Sequence, residues 1–252
     1  MSARYNTNSV TRRDFLITTA AAAGLAWGPD PVWPAPASGR LPDFVIFLTD
    51  DQRWDLLSCA GHPVLRTPNI DQLAREGVRF PHAFVTTPIC CTSRASILTG
   101  LYARTHGVHD FAADFEPEIF GLSWPALLRQ AGYHVVTFGK YGIAHGTPPP
   151  EAMGFVPLPA GEHPFFRPWQ GRSVHVTQIV TDQAVDWIRN APAERPVCLM
   201  VHFDAPHAHD YATRPYPPEP DLEALYTDAD FPDPPLSSCD FFESQPGFLQ
   251  NS

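Results

Sequence analysis

Two short runs whose interiors are almost unbroken apolar sequence constrain this chain most: Asp43–Thr49 (DFVIFLT) and Val197–Phe203 (VCLMVHF). A strand with one wet face alternates apolar and polar residues, so a continuous run predicts a parallel strand buried on both faces. Tyr133–Phe138 is also strand-like, and the stretches between read as helices. Thr67 and Pro68 form an N-cap and first turn, with Ile70, Leu73 and Ala74 at helical spacing and Gly77 as the stop. Arg94–Ala103 reads as a helix despite Gly100, Ser123 caps one that runs to Ala131, and Thr177–Asn190 puts Val180, Ala184, Val185 and Ile188 on one face. Val78–Val85 suits a strand that Pro81 reduces to an edge or a bend. This order predicts an α/β fold, a largely parallel sheet flanked by helices.

Proline punctuates the rest. The chain has 29 Pro in 252 residues, clustered at 29–36, 148–150, 157–168, 215–220 and 232–235, where extended connections are expected. From about Tyr211 onward no periodicity remains, so residues 211–252 are expected to form a Pro-rich irregular tail without a packed element. Apolar residues at 44 % against charged residues at 17 % are enough for a packed core. The balance of 17 Lys+Arg against 27 Asp+Glu, a net charge of −10, argues against a nucleic-acid partner. The cations are 16 Arg and one Lys, Lys140.

The N-terminus reads as an address. Arg12-Arg13, a modest apolar run to Trp27 and Ala35-Pro36-Ala37 match a twin-arginine signal peptide over residues 1–37, with 38–210 as the folded domain. Ile17–Trp27 is too short to cross about 30 Å of hydrocarbon, so no membrane span is expected and the periplasm or cell exterior is the expected home. The five cysteines show neither a CxxC nor a zinc spacing, and the adjacent Cys90-Cys91 pair is poorly placed for a disulfide.

Polar clusters recur where the strands end. Asp50-Asp51 follows the first strand, Lys140 lies just past the second, and His207 lies four residues past Phe203. Open α/β sheets build their sites at that edge. Cys90 precedes the helix that carries Arg94, whose free N–H groups favour an anion or a thiolate. Two carboxylates, an ammonium, a guanidinium and an imidazole suit a hard cation and an oxyanion substrate. Taken singly, each has a plainer reading: the Asp pair as a turn or helix cap, His207 as a loop residue, and His106 and His109 as complements to a helix C-terminus.

The run Cys90-Cys91-Thr92-Ser93-Arg94-Ala95-Ser96-Ile97-Leu98-Thr99-Gly100 resembles the modification motif of type I sulfatases, with Cys90 at the modified position. Leu48–Gln52, Thr67–Asp71 through Glu76–Phe80, Gly139-Lys140 and Ala205-Pro206-His207 resemble the same family, so the likeness spans about Asp43 to His207. It implies an alkaline-phosphatase-like core, incomplete at the C-terminus, and sulfate-ester hydrolysis through formylglycine made from Cys90 by a formylglycine-generating enzyme. It further implies one Ca²⁺ held by Asp50, Asp51 and the modified Cys90, with Arg94 holding the formylglycine. Lys140 and His207 would contact a sulfated small molecule or glycan. Three features depart from the family: Thr92 stands where Pro or Ala is usual, Gly142 where many members place a His, and no later Asp-Asn metal pair or second substrate Lys follows. The alternatives are a non-catalytic remnant and a phosphoester or phosphonate hydrolase using unmodified Cys90.

Overall fold

The computed structural model describes residues 41–143, 150–156, 165–209, 212–234 and 237–250. The signal peptide read over 1–37 lies outside them. The chain divides into two units, Met1–Pro42 and Asp43–Ser252, and the second contains every element described below.

Six strands and eight α-helices are described. The strands are β1 (Phe44–Leu48), β2 (His134–Gly139), β3 (Phe155–Val156), β4 (Phe166–Trp169), β5 (Arg172–His175) and β6 (Val197–His202). The helices are α1 (Pro68–Glu76), α2 (Cys90–Thr99), α3 (Ala103–His106), α4 (Pro117–Gly121), α5 (Trp124–Gln130), α6 (Val176–Arg189), α7 (Cys239–Glu243) and α8 (Gly247–Gln250). The first three strands and β6 form one sheet in the order β1-β6-β2-β3, parallel throughout. Met200 sits at its centre, in register with Ile46 on one side and Thr137 on the other.

Strand periodicity divides the core into two layers. Val135, Cys198 and Met200 face Cys91, Ala95 and Leu98 of α2, while Val136, Phe138, Leu199 and Val201 face Val176, Val180 and Ala184 of α6. Burying each larger aliphatic side chain contributes roughly 1.5–3 kcal/mol, so these two layers fix the sheet between its helices. All six residues of β6 are buried, as an unbroken apolar run requires.

β1 departs from expectation. It pairs with β6 along one edge and has no neighbour along the other among the described residues, leaving Phe44, Val45 and Phe47 at 40 %, 46 % and 60 % exposure. Its apolar sequence is that of an interior strand, but its position is that of an edge.

Other differences have local causes. Val78–Val85 forms no strand; Pro81 and His82 lie in a turn, so the bend prevails. The helix expected over Arg94–Ala103 starts earlier, at Cys90, and ends at Thr99, because Gly100 takes a left-handed φ of 70° and closes it. Residues 166–175, partly within a proline cluster, make the antiparallel β4–β5 hairpin, turned by Gln170 and Gly171 with φ of 49° and 77°. Contrary to expectation, residues of the tail form α7 and α8 and make packed contacts. Tyr226 Oη accepts from Arg66 N at 3.0 Å, Phe231 packs against Tyr226 and His62, and Ser238 caps α7. No helix among the described residues is long and apolar enough to cross a membrane.

Gly139 is where two strand ends close in. Its φ is 98°, and a Cβ there would stand 1.8 Å from the His202 carbonyl oxygen. Gly139→Ala is therefore expected to destabilise the fold by about 3 kcal/mol or more, read as a lowered urea midpoint.

Candidate active site

The carboxyl ends of the parallel strands deliver the charged residues to one place. Phe203 N donates to Leu48 O at 2.8 Å and Asp50 N to Ala205 O at 3.4 Å, tying the chain after β1 to the chain after β6. Lys140 follows Gly139, and its backbone N donates to His202 O at 3.0 Å. Asp51 adopts a φ of 57°, in the left-handed region that Asp tolerates better than most residues. Cys90 opens α2, and Arg94 follows one turn later on the same face.

All six residues singled out in the sequence come together here. Lys140 Nζ lies 2.7 Å from Asp50 Oδ2, and Arg94 Nη2 lies 3.4 Å from the same oxygen. His207 Nε2 lies 3.4 Å from Asp51 Oδ2. Cys90 lines a cleft of about 400 Å³ with Asp50, Asp51, Gln52, Ser93 and Arg94. Asp50, Arg94 and Lys140 are buried, which strengthens their mutual attraction and raises the cost of separating them, while Asp51 is exposed.

Cys90 differs from the thiolate expectation. Burial pushes its thiol above the usual value, and the opposing pull of Lys140 is the smaller effect. The helix end therefore carries a thiol at neutral pH. His207 Nδ1 donates to Ala208 O at 2.6 Å, because a carbonyl can only accept, so Nε2 is the ring atom that faces Asp51.

Sequence reasoning missed His202. The last residue of β6, it is buried, with Nδ1 3.1 Å from Arg94 Nη1, and burial reinforced by the Arg94 charge pushes its pKa down to about 3. Its signal was a polar residue inside an apolar strand run. Gly142 was noted for the His it lacks, yet its role here is spatial: a Cβ would stand 2.9 Å from Arg94 Cδ. His106 does not complement a helix C-terminus, because burial favours its neutral form. It is fully buried, accepts from Val108 N and pairs with Ser96 Oγ at 3.0 Å, away from the charged cluster.

Asp50 and Asp51 are hard-oxygen donors of the kind Ca²⁺ takes, but no group of three or more His, Cys, Asp or Glu suited to a metal occurs among the described residues. Ca²⁺ takes six to eight oxygens, so the pair fits part of a shell and not a whole one.

A parallel α/β sheet thus brings an acid pair, a lysine and an arginine together at its carboxyl edge, where open α/β folds build their sites. The Sulfatase family model matches residues 42–227, and the chain belongs to the sulfatase family. It is 30 % identical over 211 residues to the N-acetylglucosamine-6-O-sulfatase of Bacteroides thetaiotaomicron, covering 80 % of this chain and 36 % of that protein. It is 30 % identical over 245 residues to the N-acetylgalactosamine-6-sulfatase of Canis lupus familiaris, covering 81 % of this chain and 45 % of that protein. A solved structure of a protein in complex with its substrate, D-glucosamine-2-N,6-O-disulfate, superposes with a TM-score of 0.65 at 30 % identity, covering 77 % of this chain and 39 % of that one. The fold is therefore the alkaline-phosphatase-like fold of the sulfatases, and the chain spans less than half the length of these relatives.

Burial lowers the pKa of His202, His106 and His175 alike, so folding favours their neutral forms. The stability they confer is fully present above their ordinary value of 6.5 and is lost as pH falls below it, for His202 down to about 3. Tm measured from pH 8 to pH 5 is expected to hold and then decline below about 6.5, before most carboxylates protonate.

Proposed function

We propose that this chain carries the nucleophile-bearing part of a formylglycine-dependent sulfatase acting on sulfate esters of amino sugars. The observation that supports this best is that Cys90 shares a cleft with Asp50, Asp51 and Arg94, while Lys140 pairs with Asp50 and His207 with Asp51 at its border. The overall reaction takes a sulfate monoester and water to an alcohol and sulfate. When Cys90 is oxidised, its hydrated aldehyde supplies one hydroxyl to attack sulfur and a second whose collapse expels sulfate.

The chain's own residues prepare that step. Lys140 and Arg94 present fixed positive charge in a water-poor setting, where a sulfate's oxygens gain most from it. His207 can carry a proton at Nε2 to the departing alkoxide, since its Nδ1 is committed to Ala208 O. The raised thiol of Cys90 speaks against the rival in which unmodified Cys90 attacks a phosphoester, because the thiolate is the reactive form. The family names of the relatives point to 6-O-sulfated N-acetylhexosamines as first substrates. Modification by a formylglycine-generating enzyme and twin-arginine export to the periplasm or exterior belong to the same proposal.

Peptide mass spectrometry over residues 80–104 tests the nucleophile. A loss of about 18 Da at Cys90 is the change from –CH₂SH to –CHO. Protein bearing that change is expected to release sulfate from N-acetylglucosamine 6-sulfate, and Lys140→Met to lower kcat by about 100-fold or more. An intact thiol, with no sulfate released, would favour the non-catalytic remnant.

Metal affinity is a separate expectation. With two carboxylates, one already met by two cations, Ca²⁺ is expected to bind more weakly than about 1 mM in calorimetry of the chain alone. Asp51→Asn should weaken it further, and micromolar binding would show a fuller shell than Asp50 and Asp51 provide.

A further inference from the structure

We propose that His202 is the positioning residue of the anion site: with the Lys140 carbonyl it clamps one terminal nitrogen of Arg94 and thereby directs the other to Asp50 and the cleft. The inference deepens the sulfatase reading and rests on it for what Arg94 holds.

The argument is one of donors and acceptors. A guanidinium only donates, and Nη1 has two hydrogens. Its partners are Lys140 O at 2.9 Å and His202 Nδ1 at 3.1 Å, so both hydrogens are spent. His202 Nδ1 therefore bears a lone pair and its proton sits on Nε2. Nδ1 also lies 3.2 Å from Lys140 O. Two bare acceptors at that separation repel, and the charged nitrogen of Arg94 between them removes the conflict. Turning the guanidinium away would cost both of its bonds and oblige the imidazole to move its proton to Nδ1 before it could donate to Lys140 O.

The clamp is built from several elements. Lys140 follows β2, His202 ends β6, and Asp50 follows β1, so three strand ends fix one side chain carried by α2. The His202 ring is itself held edge-on by Phe155 of β3, with centroids 5.5 Å apart and planes at 69°. Gly142 leaves room for the Arg94 stem, where any side chain would intrude. A backbone carbonyl alone would fix only one of the two Nη1 hydrogens. An aliphatic residue at position 202 would leave the other without a partner.

The test compares acceptors of one chemistry at two positions. His202→Asn places an amide oxygen near Nδ1, His202→Gln places it near Nε2, and His202→Phe keeps the ring while removing the acceptor. The probe is inorganic sulfate, titrated by calorimetry into the full chain, alongside nitrogen-15 NMR of the Arg94 guanidinium without ligand. In the wild type and His202→Asn, slow-exchanging, separately resolved Nη signals are expected, with sulfate affinities within about threefold of each other. In His202→Gln and His202→Phe the Nη signals should merge and affinity fall about tenfold, the scale of a hydrogen bond to a charged group. On an Arg94→Met background the His202 variants should change affinity no further. Equal behaviour of Asn and Gln, Nη signals indifferent to position 202, or a loss that persists without Arg94 would each overturn the proposal. The NMR result stands whether or not Cys90 becomes an aldehyde, so a failed sulfatase reading remains distinct from a failed clamp.

Discussion

The Asp50 carboxylate organises the carboxyl edge of the parallel sheet. A buried negative charge must be met within the protein, and Asp50 is met twice, by Lys140 at 2.7 Å and by Arg94 at 3.4 Å. Those three residues come from the chain after β1, the chain after β2 and the first turns of α2. Their attraction holds together, at the sheet's carboxyl edge, elements that the two apolar layers join lower down. The core sets the sheet, and the charges set how its upper rim is finished.

That division explains what could be read from sequence. Apolar runs identified β1 and β6, and the strand-like Tyr133–Phe138 identified β2; β6 lies between two covered faces as such a run suggests, while β1 does not. Asp50, Asp51, Lys140 and His207 were legible because strand ends in an open parallel sheet converge whatever the intervening loops do. Cys90 and Arg94 were legible through a motif and not through periodicity. His202 escaped notice because an imidazole at the end of an apolar run resembles a satisfied core residue until its partner, distant in sequence, is known. The exposed β1 also escaped, since composition tells what faces a strand can bear and not which neighbour is present. The β4–β5 hairpin was hidden by a proline cluster, although Gln170-Gly171 supplies the turn that the hairpin needs.

The electrostatics at Cys90 bear on its proposed conversion to formylglycine. A thiolate nucleophile needs surroundings that stabilise its charge, whereas burial at the head of α2 disfavours it and Lys140 restores only part. Conversion of the thiol to an uncharged carbonyl group carries no such penalty. In the proposed function the positive charge of Lys140 and Arg94 would then be shared between Asp50 and an incoming anion. His207, partly exposed and bound through Nδ1 to its neighbour's carbonyl, occupies the wetter side of the same edge, where a proton can be exchanged with solvent.

Lys140 is the chain's only lysine, and it is 5 % exposed with its ammonium against Asp50. Every side-chain primary amine in the molecule is thus a single group inside the site. Reagents selective for such amines have one internal target, shielded while the ion pair holds and opened when it parts. Acylation at that nitrogen is therefore a direct measure of how often the rim comes undone.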